Sequence, residues 1–454
     1  MKQLTILSFL AILATSSYAA SVSNVTVFQR WPWSRQVDIH FDISADTDEF
    51  VDVNIALSNA GDPLDVPADS FSTGTQLLQE GHHVVSWDPA KTSYTNRLTL
   101  ANFRADVSIA RSVLYMIVDL TKSASDPNQI TYLSRADLET GAYGSIETNF
   151  WGAGAAQGVI WTGITNSQEY ATSKLVFRAI PAGSFTLGDT GLTSSGGRFS
   201  VTLTQPYWAG VYELTQRQWK NITTESCNSK FTVAGDRRPI EFHSQNGMRG
   251  SAYSFYETGY HVDSTSLIGR LRTKTGNKIL FDLPTEAEWE RAARGGASTH
   301  YYDGGESGGY LLASGQRDQT TNRIANLIGR YRYNGGFIDN GQTEKPSRDG
   351  SDASKYGPTN GTALVGSYLP NAYGLYDTAG NVQEGCLTAG TSSGVDPIGK
   401  KNGSKVLYKG GEWSWSAQAM RPAFHQEAER GTYSVEHGFR VFAFPHKSED
   451  DVIE

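Results

Sequence analysis

The residues best equipped for chemistry lie in Asn371–Cys386, NAYGLYDTAGNVQEGC. Asp377 and Glu384 are separated by six residues that include Gly380. A looped backbone at that spacing could aim both carboxylates, and the carbonyls between them, at one hard cation such as Ca²⁺. The same spacing also suits a turn carrying two solvated acids.

Other reactive side chains are few. Cys227 and Cys386 are the only cysteines, so stability does not rest on a disulfide framework. One bridge between them and two lone buried thiols both fit the sequence. His82 and His83 are adjacent in a strand pattern and face opposite sides, so they cannot easily share a metal. The chain holds no H-E-x-x-H, phosphate-binding loop or C-x-x-C. A net charge of −8 without a long Lys/Arg run argues against nucleic acid or an anionic membrane surface as partner.

Four further segments follow one family in order: IPAGSFTLGD, YELTQRQW, FDLPTEAEWERAARGG, and YKGGEW followed by HGFRV. From about Leu175 to Phe444 the chain resembles the sulfatase-modifying-factor family, whose type member is the formylglycine-generating enzyme. The resemblance implies an irregular α+β fold of the C-type-lectin-like kind, stabilised by calcium. Asp377, Gly380, Val382 and Glu384 match the family's second calcium site, as side-chain or carbonyl oxygens. Asn326 and Leu327 match the first. Its later acid falls where Gly357 and Pro358 stand, with Asp349 or Asp352 as substitutes. The family's GNVWEW reads GNVQEG, so Gln383 and Gly385 replace two tryptophans.

Catalytic members of that family bind copper through two cysteines placed shortly after a GGS motif. Alignment on Gly410 and Gly411 puts Trp415 and Met420 there. Thiolates suit Cu(I) because both are soft, so copper is not expected. Met420 with His425 offers a weak copper pair or, alternatively, core filler and a polar cleft residue. Trp413, Trp415, Met420, Arg421 and His425 are left as a binding cleft able to stack and hydrogen-bond. The resemblance therefore implies a module for an extracellular protein or glycan ligand, without formylglycine chemistry. The alternative is an enzyme that modifies a sulfatase or another substrate through unfamiliar residues.

The elements that must position these residues fall into two units. Residues 1–19 read as a secretory signal: Lys2, an apolar run from Leu4 to Ala14, and Ser17 and Ala19 framing cleavage after Ala19. A secreted, periplasmic or cell-surface location follows, and no later stretch is long enough to span a bilayer. From residue 20 to 110 apolar residues alternate, as in Val37, Ile39, Phe41 and Ile43, then Val51, Val53, Ile55 and Leu57. Period two predicts half-buried strands in a β-sandwich of the immunoglobulin or fibronectin kind, with Trp87 as core anchor.

Residues 111–172 begin with the strand SVLYMIVDL and then read as a connector rich in small polar residues. The second domain, 173–446, precedes an acidic tail at 447–454. Thr215 with Gln218, and Thr285 with Glu288, have capping-box spacing and start helices, the latter ended by Gly295. Leu267, Ile268 and Leu271 make a helical stripe. Glu288 with Arg291, and Glu290 with Arg294, are spaced for exposed ion pairs that cap and solubilise their helix.

Overall fold

The computed structural model describes residues 20–449, apart from 31–32, 47, 68–69, 72–73, 95–101, 149–150, 152–155, 157, 190–196, 233–234, 305–324, 333, 335–360, 391–392 and 400–403. The expected signal at 1–19, and Asp349, Asp352, Gly357 and Pro358, lie outside these residues. So does the end of the acidic tail. No helix among the described residues is long and apolar enough to cross a membrane.

The alternating segments form two three-stranded sheets. Val37–Ser44 runs between Ser21–Gln29 and Gly81–Trp87, and Phe50–Asn59 runs between Asp62–Pro63 and Arg104–Val113, all antiparallel. Their inner faces meet in one core of Val37, Ile39, Phe41, Ile43, Val51, Val53, Leu57, Val85 and Trp87. This is the period-two pattern turned into burial. Trp87 is fully buried and stacks on Phe103 with ring centroids 5.6 Å apart.

The larger unit is built on a six-stranded antiparallel sheet in the spatial order Phe281–Asp282, Phe442–Ala443, Tyr207–Gly210, Lys174–Ile180, Tyr115–Asp119 and Ile130–Leu133. Two of these strands come from the segment read as a connector. Tyr115–Asp119 pairs with Lys174–Ile180 in the register Asp119↔Lys174 to Tyr115↔Arg178. Tyr115, Met116, Ile117 and Val118 are all buried, which is why the run is continuously apolar rather than alternating. The aromatic residues after it dock on the same unit. Trp161 donates its indole N–H to the Tyr143 carbonyl, and Trp151 donates to that of Pro370.

Three of the helices among the described residues carry the expected capping and burial patterns. In Gln216–Ile222 and Glu286–Arg294 the capping boxes close reciprocally: Thr215 and Thr285 accept from the N–H groups of Gln218 and Glu288, whose side chains accept from the cap N–H. Gly295 ends the second helix in the left-handed region, at φ 57°. Leu267, Ile268 and Leu271 are buried along Leu267–Lys274.

The acidic helix departs from expectation. Glu286, Glu288 and Glu290 are buried, not solvated. Glu290 does pair with Arg294, at 2.7 Å, but inside the protein. Glu288 turns to Lys447 rather than Arg291, which instead donates to the carbonyls of Pro181 and Ala182. The physical reason is Lys409, fully buried between Glu286 (3.1 Å) and Glu290 (3.0 Å), which turns this helix face into an internal ion-pair network.

Candidate functional site: cation loop and adjoining cavity

Asn371 anchors the loop. Its side chain donates to the carbonyls of Ala292 and Ala293 and accepts from the N–H groups of Tyr373 and Leu375, fixing the loop to the end of the acidic helix. Asp377, Gly380 and Asn381 then take positive φ values of 60°, 81° and 63°. A Cβ on Gly380 would lie 2.0 Å from the Arg330 carbonyl oxygen, so only glycine fits there.

Asp377 and Glu384 are both fully buried, but their surroundings differ. Glu384 accepts from Arg440 at 2.5 and 2.8 Å and from the Trp289 indole at 2.6 Å. Asp377 accepts from the Gly366 N–H at 2.6 Å through one oxygen, and its other oxygen has no hydrogen-bond partner. A third buried carboxylate, Glu213, accepts from the Asn381 side chain at 2.5 Å and the Val382 N–H at 3.1 Å. Burial pushes Glu213 well above the usual carboxylate range, helped by the negative charges of Asp377 and Glu384. Burial likewise pushes Asp377 up to about 7, against the pull of the Gly366 N–H and Arg440. Three carboxylates thus share one buried guanidinium.

These residues fit a calcium ion at one end only. The Asp377 oxygen without a hydrogen-bond partner is the donor a cation would use, together with the carbonyls of Gly380 and Val382, and binding would require Asp377 to give up the proton that burial favours. Glu384 is committed to Arg440 and Trp289. No group of three or more His, Cys, Asp or Glu side chains among the described residues is placed to hold a metal ion. At the other expected site, Asn326 accepts from the Tyr331 hydroxyl at 3.0 Å, and the Leu327 carbonyl accepts from the Leu369 N–H at 2.8 Å.

The two residues expected to replace family tryptophans, Gln383 and Gly385, have different surroundings. Gly385 makes room for Phe439, whose ring a Cβ there would meet at 2.5 Å. Gln383 is fully buried, with neither side-chain polar atom hydrogen-bonded.

Beside the loop lies a cavity of about 530 Å³, lined by Asp189, Arg198, Arg291, Arg294, His300 and Tyr373 among others. The acidic helix builds its wall: Glu290 accepts from the Gly188 N–H at 2.7 Å, and Arg294 donates to the Gly188 carbonyl at 2.9 Å. Asp189, the next residue, is held between Arg421 at 3.0 Å and His300 at 2.7 Å. Sequence reading passed over both Asp189 and His300. Asp189 stood in IPAGSFTLGD with nothing to mark it as a partner for a histidine more than a hundred residues away.

A family model for the sulfatase-modifying factor enzyme 1-like domain matches residues 165–443, more than half of the 454. The chain belongs to the sulfatase-modifying-factor family. It is 36% identical over 143 residues to a formylglycine-generating enzyme of Thermomonospora curvata, a match covering 29% of this chain and 38% of that protein. It is 24% identical over 291 residues to the chaperone protein LppX of Paenibacillus barcinonensis, covering 57% of this chain and 91% of that one. Against the formylglycine-generating relatives, the matched region spans well under half of their length. Among solved structures, Treponema denticola variable protein 1 aligns with 22% identity and a TM-score of 0.42, over 60% of this chain and 95% of that one.

Of the two residues expected at the family's cysteine positions, Trp415 is half-buried and edge-on to Phe424 with centroids 5.2 Å apart, whereas Met420 is fully buried. Met420 packs with Tyr301, Tyr302, Ile328 and Tyr331. Trp413 is also fully buried, edge-on to Phe231 and donating to the Val435 carbonyl. It offers no stacking face to a ligand, contrary to expectation, because Phe231 and Val435 already cover it. Arg421 is buried too, with one nitrogen on Asp189 and another without a hydrogen-bond partner. His425 lies 3.5 Å from Glu286, an ion-pair separation that makes no hydrogen bond. Met420 and His425 therefore sit in different surroundings, a core and the edge of an ion-pair network. Cys227 and Cys386 are both free thiols, and burial raises the pKa of each.

Proposed function

We propose that this chain is a secreted sulfatase-modifying-factor-family protein without formylglycine-generating activity, serving as a calcium-stabilised module that binds a protein or glycan. In this reading, residues 20–110 are an immunoglobulin- or fibronectin-like sandwich and 173–446 a C-type-lectin-like domain. The observation that carries the reading is Met420: where copper chemistry needs an accessible thiolate, the chain has a thioether sealed among tyrosines. The two thiols it does have are held protonated by burial. For ligand binding, the 530 Å³ cavity beside Asp189 and His300 is a better candidate than the buried Trp413. Arg421 supports that cavity from behind, through its ion pair with the lining residue Asp189.

The test is an oxygen-consumption assay with a cysteine-containing sulfatase peptide and added copper, with peptide mass as readout. No conversion to formylglycine is expected. Copper-dependent turnover abolished by Met420→Leu or His425→Ala would overturn the reading. The calcium part is tested by melting the protein with calcium and with chelator. Chelation should lower the transition of the second domain and spare the first, and Asp377→Ala should mimic it. Superimposable melts would remove calcium from the proposal.

A further inference from the structure

We propose that His40 and His82 form a binding site for an imidazole-preferring divalent transition metal ion, such as zinc, on the outer face of the first sheet. The two histidines lie on neighbouring antiparallel strands, with His82 opposite Asp42 and His40 opposite Val84. Ile39, Phe41 and Ile43 point into the core, so the alternate positions 40 and 42 share the outward face. His82 is exposed there, and His40 and Asp42 are partly so.

The distances carry the argument. His40 Nδ1 and His82 Nε2 are 3.2 Å apart. Two imidazole nitrogens bound to one tetrahedral ion, each by a bond of about 2.05 Å, stand about 3.3 Å from one another. The pair already has the separation of two ligands on a common metal.

The far nitrogen of His82 strengthens the case. His82 Nδ1 lies 2.7 Å from an oxygen of Asp42, whose other oxygen accepts from the Asn24 amide at 2.7 Å. A carboxylate that takes one ring N–H while the other ring nitrogen faces the ion is the usual support for a metal-binding histidine. It fixes the tautomer: with Nδ1–H donated to Asp42, Nε2 of His82 carries a lone pair toward His40. Without metal, His40 Nδ1–H donates into that lone pair. With metal, the proton moves to His40 Nε2 and both facing nitrogens become donors to the ion.

Imidazole suits zinc, nickel and copper, whereas calcium and magnesium take oxygen. This site is therefore chemically distinct from the oxygen-rich loop at Asp377. Two protein nitrogens on an open sheet face leave the remaining coordination positions to water. Adjacency in sequence was misleading: His82 has its partner on the next strand, not in His83, which faces inward, stacks on Phe41 and reaches the Gln79 carbonyl.

The experiment is calorimetric titration of zinc into the full chain, stripped of metal and kept in excess calcium. Electron paramagnetic resonance of the copper(II)-loaded protein would read nitrogen ligation. We expect one zinc ion whose binding is lost in His40→Ala and in His82→Ala. Asp42→Ala should weaken it about 10- to 100-fold, and His83→Gln should leave it unchanged. Thermal melts confirm that each variant is folded. Absence of zinc binding by the wild type, equal affinity in the double His40→Ala/His82→Ala variant, or loss of binding in a folded His83→Gln would each overturn the assignment.

Discussion

Lys409 shows what a buried charge does in this protein. Its ammonium is removed from water and held by Glu286 and Glu290, which are as enclosed as it is. Removing the cation alone leaves two carboxylates in a low-dielectric interior, so Lys409→Met should cost about 3–5 kcal/mol. Lys447, whose side chain is more than a quarter exposed, pairs with Glu288 nearer the surface. Lys447→Met should cost under about 1 kcal/mol. Urea unfolding of both variants checks the contrast, and equal costs would contradict the buried network.

At the same scale, burial sets the titration of Glu241. Burial pushes it from the ordinary 4.5 up to about 8, against hydrogen bonds from the N–H groups of Phe231 and Lys230. The folded chain holds this proton through a window in which the unfolded chain has released it. Stability therefore falls as pH rises from about 4.5 to about 8. Burial lowers nearby His243 to about 4, so its contribution is lost in the opposite direction, as pH drops from 6.5 to about 4. Above pH 6.5 only Glu241 of the two is titrating. Glu241→Gln should thus gain stability relative to wild type as pH rises from 6.5 to 8.5, read as urea midpoints. Parallel pH curves would count against it.

Among the elements, the acidic helix does three jobs. Its cap closes on itself through Thr285 and Glu288, its buried face anchors Lys409, and its far end holds Gly188 and hence Asp189 at the cavity. Thr285→Ala removes the acceptor for the Glu288 N–H and should cost about 0.5–2 kcal/mol. A shift in unfolding midpoint of that size, with the helical circular dichroism signal retained, would match a lost cap. Loss of the whole fold would mean that Thr285 carries more than its cap. The caps were readable because they are local, needing only residues three apart. The burial of Glu286 and Glu290 was not, because the lysine they share, Lys409, stands more than a hundred residues away on the strand Lys405–Lys409.

For the molecule as a whole, the six-stranded sheet decides where the larger unit begins. Tyr115–Asp119 covers one edge of Lys174–Ile180, and its side chains belong to the main core. A chain starting at Ser173 would expose that edge and lose that part of the core, so it should aggregate or melt without cooperativity. A chain starting at Ser112 keeps both strands and should melt cooperatively. Size-exclusion chromatography with thermal unfolding separates the two, and a well-behaved monomer from Ser173 would contradict the sheet order.

The sequence by itself determined what depends on neighbours along the chain. It located the alternating strands of the first unit, the capped helices, a loop around Gly380 and the absence of cysteines at positions 415 and 420. The family, too, was legible from short segments in order. Tertiary structure decided what depends on residues far apart. It enclosed Trp413 and Met420, gave Glu384 to Arg440 while leaving an Asp377 oxygen unpartnered, and joined Asp189 to His300 at a cavity. It also brought His40 to His82. The physical reason is that periodicity and capping act over a few residues, whereas the desolvation of a charge, or the meeting of two imidazoles, depends on which strands lie side by side.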